Sequence, residues 1–97
     1  MAAYVIARVE VRDTAWTAEY VPKTMALIQK HGGKVLVGSG AAMETLEGEE
    51  KLPSTIIVLE FPSMEQAKAW YHDPEYAPLI KLRQTGSDAN IIAVAGV

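Results

Sequence analysis

The segment Ser54–Phe61 constrains this chain more than any other, because Thr55 through Leu59 are almost unbroken in Ile, Val and Leu. A strand with one wet face alternates apolar and polar residues, whereas this one is apolar at odd and even positions alike and must be covered on both sides. The last strand, read at Ala89–Ala95, repeats the pattern, with Ile91 and Ile92 pointing in opposite directions. Any fold for these residues therefore needs one layer of helices and a second cover from elsewhere.

The rest of the chain supplies the helical layer. An opening strand over Ala3–Val11 sets Val5, Ala7, Val9 and Val11 on one face and Tyr4, Ile6, Arg8 and Glu10 on the other. Asp13 caps a following helical turn that carries Trp16 and Tyr20 on one side. Pro22 disfavours helical geometry at Val21, so a kink or restart is expected there. Met25, Leu27 and Ile28 carry the helix to His31, and Gly32-Gly33 stops it. A short strand follows at Lys34–Ser39, with Gly38-Ser39-Gly40 as a bend or bulge and Ala42–Leu46 resuming it before a turn at Glu47-Gly48. Ser63 with Gln66 forms a capping box for a helix that turns Met64, Ala67 and Trp70 inward. Asp73-Pro74 restarts a helix, with Asp73 as cap and Pro74 in first position, and Tyr76, Leu79, Ile80 and Arg83 follow along one stripe.

The order is β-α-β-β-α-β, an α+β fold in which right-handed crossovers place the helices on one face of a four-stranded antiparallel sheet. With that face covered, the opposite face calls for a partner, and a second copy is the simplest one: a homodimer through the sheet. Ninety-seven residues fit a single domain spanning 1–97. Nine Lys and Arg against twelve Asp and Glu give a net charge of −3, which argues against a nucleic-acid or anionic-membrane partner. The absence of Cys removes thiolate nucleophiles and Cys-based metal sites, and two His make a histidine-rich metal site improbable. The N-terminal apolar run is broken by Arg8 and has no basic flank, so no targeting segment is read and a cytoplasmic location is expected.

Taken together, these residues resemble the DUF1330 proteins of the dimeric α+β barrel (ferredoxin-like) superfamily. The likeness covers essentially the whole chain. It rests on the opening strand with Asp13, Tyr20, His31-Gly32-Gly33, Leu46-Glu47-Gly48, Glu60-Phe61-Pro62-Ser63-Met64, Ala67, Ala69-Trp70-Tyr71, Pro74-Glu75-Tyr76 and Arg83. Gly38-Ser39-Gly40 departs from the arginine and glycines that the resemblance implies there, which puts any anion contact at that bend in doubt. The family carries no settled activity. The wider superfamily includes cofactor-independent monooxygenases, small-molecule isomerases and haem-degrading proteins, a range over which fold alone does not decide function.

Each candidate residue carries two readings. His31 is either a helix C-cap or a general base at the mouth of a pocket. Glu60, a carboxylate inside an apolar strand, either pairs with Arg8 or Arg83, lies near an edge, or is a poised acid or base. Arg83 either binds a substrate carboxylate or joins an intersubunit salt bridge. Trp16, Tyr20, Trp70, Tyr71 and Tyr76 are either core or the lining of an aromatic pocket. Gly38-Ser39-Gly40 fits neither a dinucleotide fingerprint nor a nucleophile elbow.

The expectation is a homodimer with a small, mostly apolar pocket in each subunit. If it is catalytic, it acts without a bound cofactor: His31 or Glu60 moves a proton, Arg83 holds an anion, and Tyr20 donates a hydrogen bond. His31, Glu60, Arg83, Tyr20 and Trp70 should then share one concavity, with Tyr71 and Tyr76 as further ligand contacts. The competing expectation is a non-catalytic ligand-binding or dimerisation module.

Overall fold

The computed structural model describes residues 1–97. Strand β1 spans Ala3–Val11, helix α1 Thr17–Lys30, β2 Lys34–Val37 and β3 Thr55–Phe61. Helices α2 (Met64–Tyr71) and α3 (Ala77–Gln84) precede β4 (Ser87–Ala95). The strands form one antiparallel sheet in the order β2-β3-β1-β4, the ferredoxin-like arrangement. No helix is long and apolar enough to cross a membrane.

Strand pairing resolves which apolar residues share a face. Val5 stands opposite Leu59 and Ala93, and Ala7 opposite Ile57 and Ile91; these side chains point toward the helices. The alternate set points away from them: Tyr4 is opposite Glu60 and Val94, Ile6 opposite Val58 and Ile92, and Arg8 opposite Ile56 and Asn90. The core on the helical side joins Ala3, Val5, Leu59 and Phe61 to Leu27 and Ile28 of α1, Ala67 and Trp70 of α2, and Tyr76 and Leu79 at α3.

Several local details differ from the sequence expectation. Pro22 lies inside α1, which runs unbroken through it. The acceptor left without its N–H is the carbonyl of Ala18, an exposed residue, so water can replace the missing bond. Strand β2 ends at Val37, with an irregular register between Val35 and Val37, and Ala42–Leu46 forms no strand. Gly40 takes a positive φ of 84°, and Leu46 is left almost fully exposed. The loop is tied back by Arg8, which donates to the Lys51 carbonyl at 2.7 Å and pairs with Glu50 at 3.2 Å.

The capping box at α2 is half of what the spacing predicts. The Gln66 N–H donates to Ser63 Oγ at 3.2 Å, but the Gln66 carboxamide reaches across to the His31 carbonyl, also 3.2 Å, and fastens α2 to the end of α1. Asp73 accepts the Glu75 N–H and opens a turn through Pro74–Tyr76; the helix proper begins at Ala77, later than Asp73-Pro74 implies.

Candidate functional site

Helix α2 packs directly on β1, β3 and β4, and α3 on β4, whereas α1 leans mainly against α3. The space left beneath α1 is a cavity of about 390 Å³. Its floor is the sheet, at Ala7, Val9 and Ile57; its roof is α1, at Tyr20, Thr24 and Met25; its inner end is closed by Trp70, Tyr76 and Arg83. Val21 and Met25 line it and are themselves substantially exposed, as are Gly38 and Ser39 at the end of β2, so the opening lies between these two segments.

The lining is mostly apolar, with a few Thr and Ser hydroxyls, and Arg83 is the only charged residue in it. Arg83 is only 5% exposed, yet it forms no ion pair with any acid of the chain. A buried guanidinium is ordinarily paired, because desolvating a charge without compensation is costly. The Tyr76 hydroxyl lies 2.5 Å from that of Tyr20, bridging α3 to α1. Burial first, and the neighbouring Tyr20 second, push Tyr76 above the ordinary tyrosine range, with Arg83 opposing them. Tyr76 therefore keeps its proton at neutral pH and serves as a hydrogen-bond donor rather than a base. Trp70 stacks against Tyr76 with ring centroids 4.7 Å apart, and Trp16 meets Tyr20 edge-on at 5.1 Å.

Of the seven candidates, Tyr20, Trp70, Tyr76 and Arg83 meet at this cavity, and His31, Glu60 and Tyr71 do not line it. At the C-cap of α1, His31 donates from Nε2 to Asp73 Oδ2 at 2.8 Å. Lys30 donates to the same oxygen at 3.0 Å and reaches Glu75 at 3.3 Å. The His31 hydrogen bond, the Glu75 N–H and Lys30, in that order, hold the Asp73 carboxyl well below the usual carboxylate range. His31 thus belongs to a clasp between the end of α1 and the turn before α3. Glu60 projects from the opposite face of the sheet and pairs with Lys34 at 3.1 Å, not with Arg8 or Arg83. Tyr71 lines a separate, smaller groove beside Ile91 and Ile92. Neither His31 nor Glu60 lines the cavity, contrary to the expectation that they share one concavity with Arg83 and Tyr20. Thr24 went unnoticed in the sequence, although it lies four residues from Tyr20 and eight from Trp16, on the same side of α1.

Residues 2–97 match the family described as Domain of unknown function (DUF1330). The chain belongs to the DUF1330 family. Among solved structures, this DUF1330 chain is similar to a protein of unknown function from Rhodopseudomonas palustris, with 20% identity and a TM-score of 0.75 over 99% of this chain and 82% of that one. It is also similar to SnoaB, a cofactor-independent oxygenase from Streptomyces nogalater, with 11% identity and a TM-score of 0.66 over 99% and 93% of the two chains. A dimeric ferredoxin-like protein of unknown function from Thermobifida fusca has 14% identity and a TM-score of 0.55 over 99% and 92%. At these identities the likeness shows the ferredoxin-like fold. The comparison with curated proteins gives no match.

Proposed function

We propose that this DUF1330 protein binds a small, largely apolar molecule carrying one anionic group in the cavity beneath α1. Arg83 holds the anion, and the Tyr76–Tyr20 hydroxyl pair provides a neighbouring hydrogen bond. The observation that carries this reading is Arg83 itself: buried, charged, unpaired within the chain, and set at the closed end of an apolar cavity. A carboxylate entering there gives the guanidinium the partner that the chain lacks, and the aliphatic and aromatic walls take the rest of the molecule.

The catalytic version of this reading is supported by the fold shared with SnoaB, described as a cofactor-independent oxygenase. No carboxylate or imidazole lines the cavity, so a substrate must enter already anionic, and the protein's part is to stabilise that charge with Arg83 and Tyr76. The sheet face away from the helices supports a homodimer. Ile6, Ile56 and Val58 sit in its middle, and Ile92 and Val94 are 61% and 45% exposed along β4. Light scattering is expected to give twice the chain mass at micromolar concentration, and a stable monomer rejects this part of the reading.

Titration calorimetry with phenylbutanoate tests the anion site. Binding is expected to the native protein, with a loss of about 10-fold or more in Arg83→Met, because hydrogen bonds to charged groups are worth ~1.5–3 kcal/mol. Equal affinity of phenylbutanoate and the uncharged phenylbutanol would overturn it.

A further inference from the structure

The cavity beneath α1 changes character along its length. Its inner end is sealed: Trp70, Tyr76 and Arg83 are 3%, 1% and 5% exposed. The Arg83 guanidinium sits close enough to the Tyr76 hydroxyl to counter part of the upward push that burial gives it, and that hydroxyl meets Tyr20 at 2.5 Å. The middle is bare of ionisable groups, with Val5, Ala7, Val9, Ile57 and Leu59 of the sheet beneath Ile28 of α1. The outer end is open, and its lips are the half-exposed Val21 and Met25 on α1 and the exposed Gly38 and Ser39 past β2.

This gradient sets a direction. A carboxylate is costly in the middle, where nothing replaces its water, and is compensated only at Arg83. The apolar remainder of the ligand must then trail back toward the opening, because the inner end leaves no exit. At ~30 Å³ for each water-sized group, the cavity of about 390 Å³ accommodates about thirteen such groups, so a carboxylate and roughly ten carbons fill it. A longer chain has somewhere to go. It emerges between the lips onto Val21 and Met25, an apolar surface that the empty protein leaves in water.

We infer that the site takes free, chain-like monocarboxylates head first: it demands an unesterified acid at Arg83 and tolerates extension at the far end, which lies at the mouth. This inference rests on the anion-binding reading above and adds to it the ligand's class and direction. An acyl group joined to a carrier through its carboxyl is refused, because the linkage removes the charge and the sealed end has no room for the carrier. A group carried at the opposite end of the chain is accepted, because that end reaches water.

Calorimetry on the native protein with straight-chain alkanoates of 4 to 14 carbons tests the direction. Affinity is expected to rise about 3- to 4-fold per added methylene up to roughly ten carbons and then to level off without collapsing. Hexanedioate should bind at least about 10-fold more weakly than hexanoate, because its second carboxylate is held in the apolar middle. Tetradecanedioate, whose second carboxylate clears the mouth, should stay within about 5-fold of tetradecanoate. Val21→Asp should weaken tetradecanoate at least about 3-fold more than it weakens hexanoate. Affinity that collapses beyond ten carbons, or tetradecanedioate as disfavoured against its parent acid as hexanedioate, overturns the head-first direction and leaves the anion site standing. Equal losses for the two chain lengths in Val21→Asp reject the exit between the lips. Methyl dodecanoate binding as well as dodecanoate, or no acid binding at all, overturns the anion site and the inference with it.

Discussion

Replacing Arg83 by Met should make the empty protein more stable while weakening its anion binding. Arg83 is buried to 5% exposure and has no acidic partner, so its guanidinium is desolvated with little return. Exchanging a buried charged group for an apolar side chain of similar volume is neutral or stabilising by about 1–4 kcal/mol. Met keeps most of the packing of the arginine stem. The loss of the guanidinium beside Tyr76 subtracts ~1 kcal/mol, leaving a net gain of about 0–3 kcal/mol with a midpoint near ~1.5 kcal/mol. For a domain of this length each kcal/mol moves Tm by about 4–8 °C, so an upward shift of roughly 5–15 °C is expected at that midpoint. Calorimetric melts of the two proteins at one fixed chain concentration measure it, because dimerisation makes Tm depend on concentration. Phenylbutanoate should then narrow the gap. At about 100 times the native Kd it stabilises the native protein by ~2.7 kcal/mol, whereas a site about 10-fold weaker in Arg83→Met gains only ~1.4 kcal/mol. A drop in Tm for the variant without ligand would refute the reasoning, since it would show that Arg83 holds the empty fold together.

The clasp at Asp73 makes a separate prediction about acid. Because its carboxyl titrates below the ordinary value, Asp73 contributes stability that is complete above about pH 4 and is lost as the pH falls further. Asp73→Asn should lower Tm at neutral pH and flatten the acid limb of the Tm profile; an unchanged profile would count against the clasp. Val58→Asp, opposite Ile6 on the outer sheet face, should dissociate the dimer in light scattering, because an unpaired charge buried between two sheets costs several kcal/mol. Gly86→Ala would bring a Cβ to 2.6 Å from the Asp13 carbonyl oxygen and 2.5 Å from Trp16 Cδ1. It should cost about 1–3 kcal/mol and shift tryptophan fluorescence as Trp16 leaves the cavity wall; a native-like melt and spectrum would show that the contact yields freely.

Much of the fold was legible because strand β3 states its own requirement: apolar on both faces, it needs helices on one side and another cover on the other. Parity within the same strand also sorts Glu60. Leu59 and Phe61 face the core, so Glu60 must share the far face with Ile56 and Val58, and strict alternation would have removed it from the pocket. His31 was not legible in this way. Its partner Asp73 is 42 residues away, and only the meeting of the end of α1 with the turn before α3 joins them. The Gln66 side chain likewise had a local option, the capping box, and took a distant one. The cavity was visible only in part. Aromatic spacing marked Tyr20, Trp70 and Tyr76, but the void itself depends on how far α1 stands from the sheet, which no local pattern encodes. The strand expected at Ala42–Leu46 failed because strand propensity does not reveal whether a pairing edge is within reach after the turn at Gly40.

Helix α1 is fastened at both ends. Trp16 and Tyr20 hold its start against Gly86 and Tyr76, and Lys30, His31 and the Gln66 side chain hold its finish. A beam fixed in this manner cannot swing aside; it can only bow between its supports. Pro22 sits in that span, where one backbone hydrogen bond is already missing, flanked by the half-exposed Val21 and close to Met25 at the cavity opening. If entry requires this wall to bow, its rate is set by the stiffness of one helical turn, separately from the groups that set affinity. Restoring the bond with Pro22→Ala should slow ligand association and dissociation together in stopped-flow measurements and leave their ratio, the Kd, nearly unchanged.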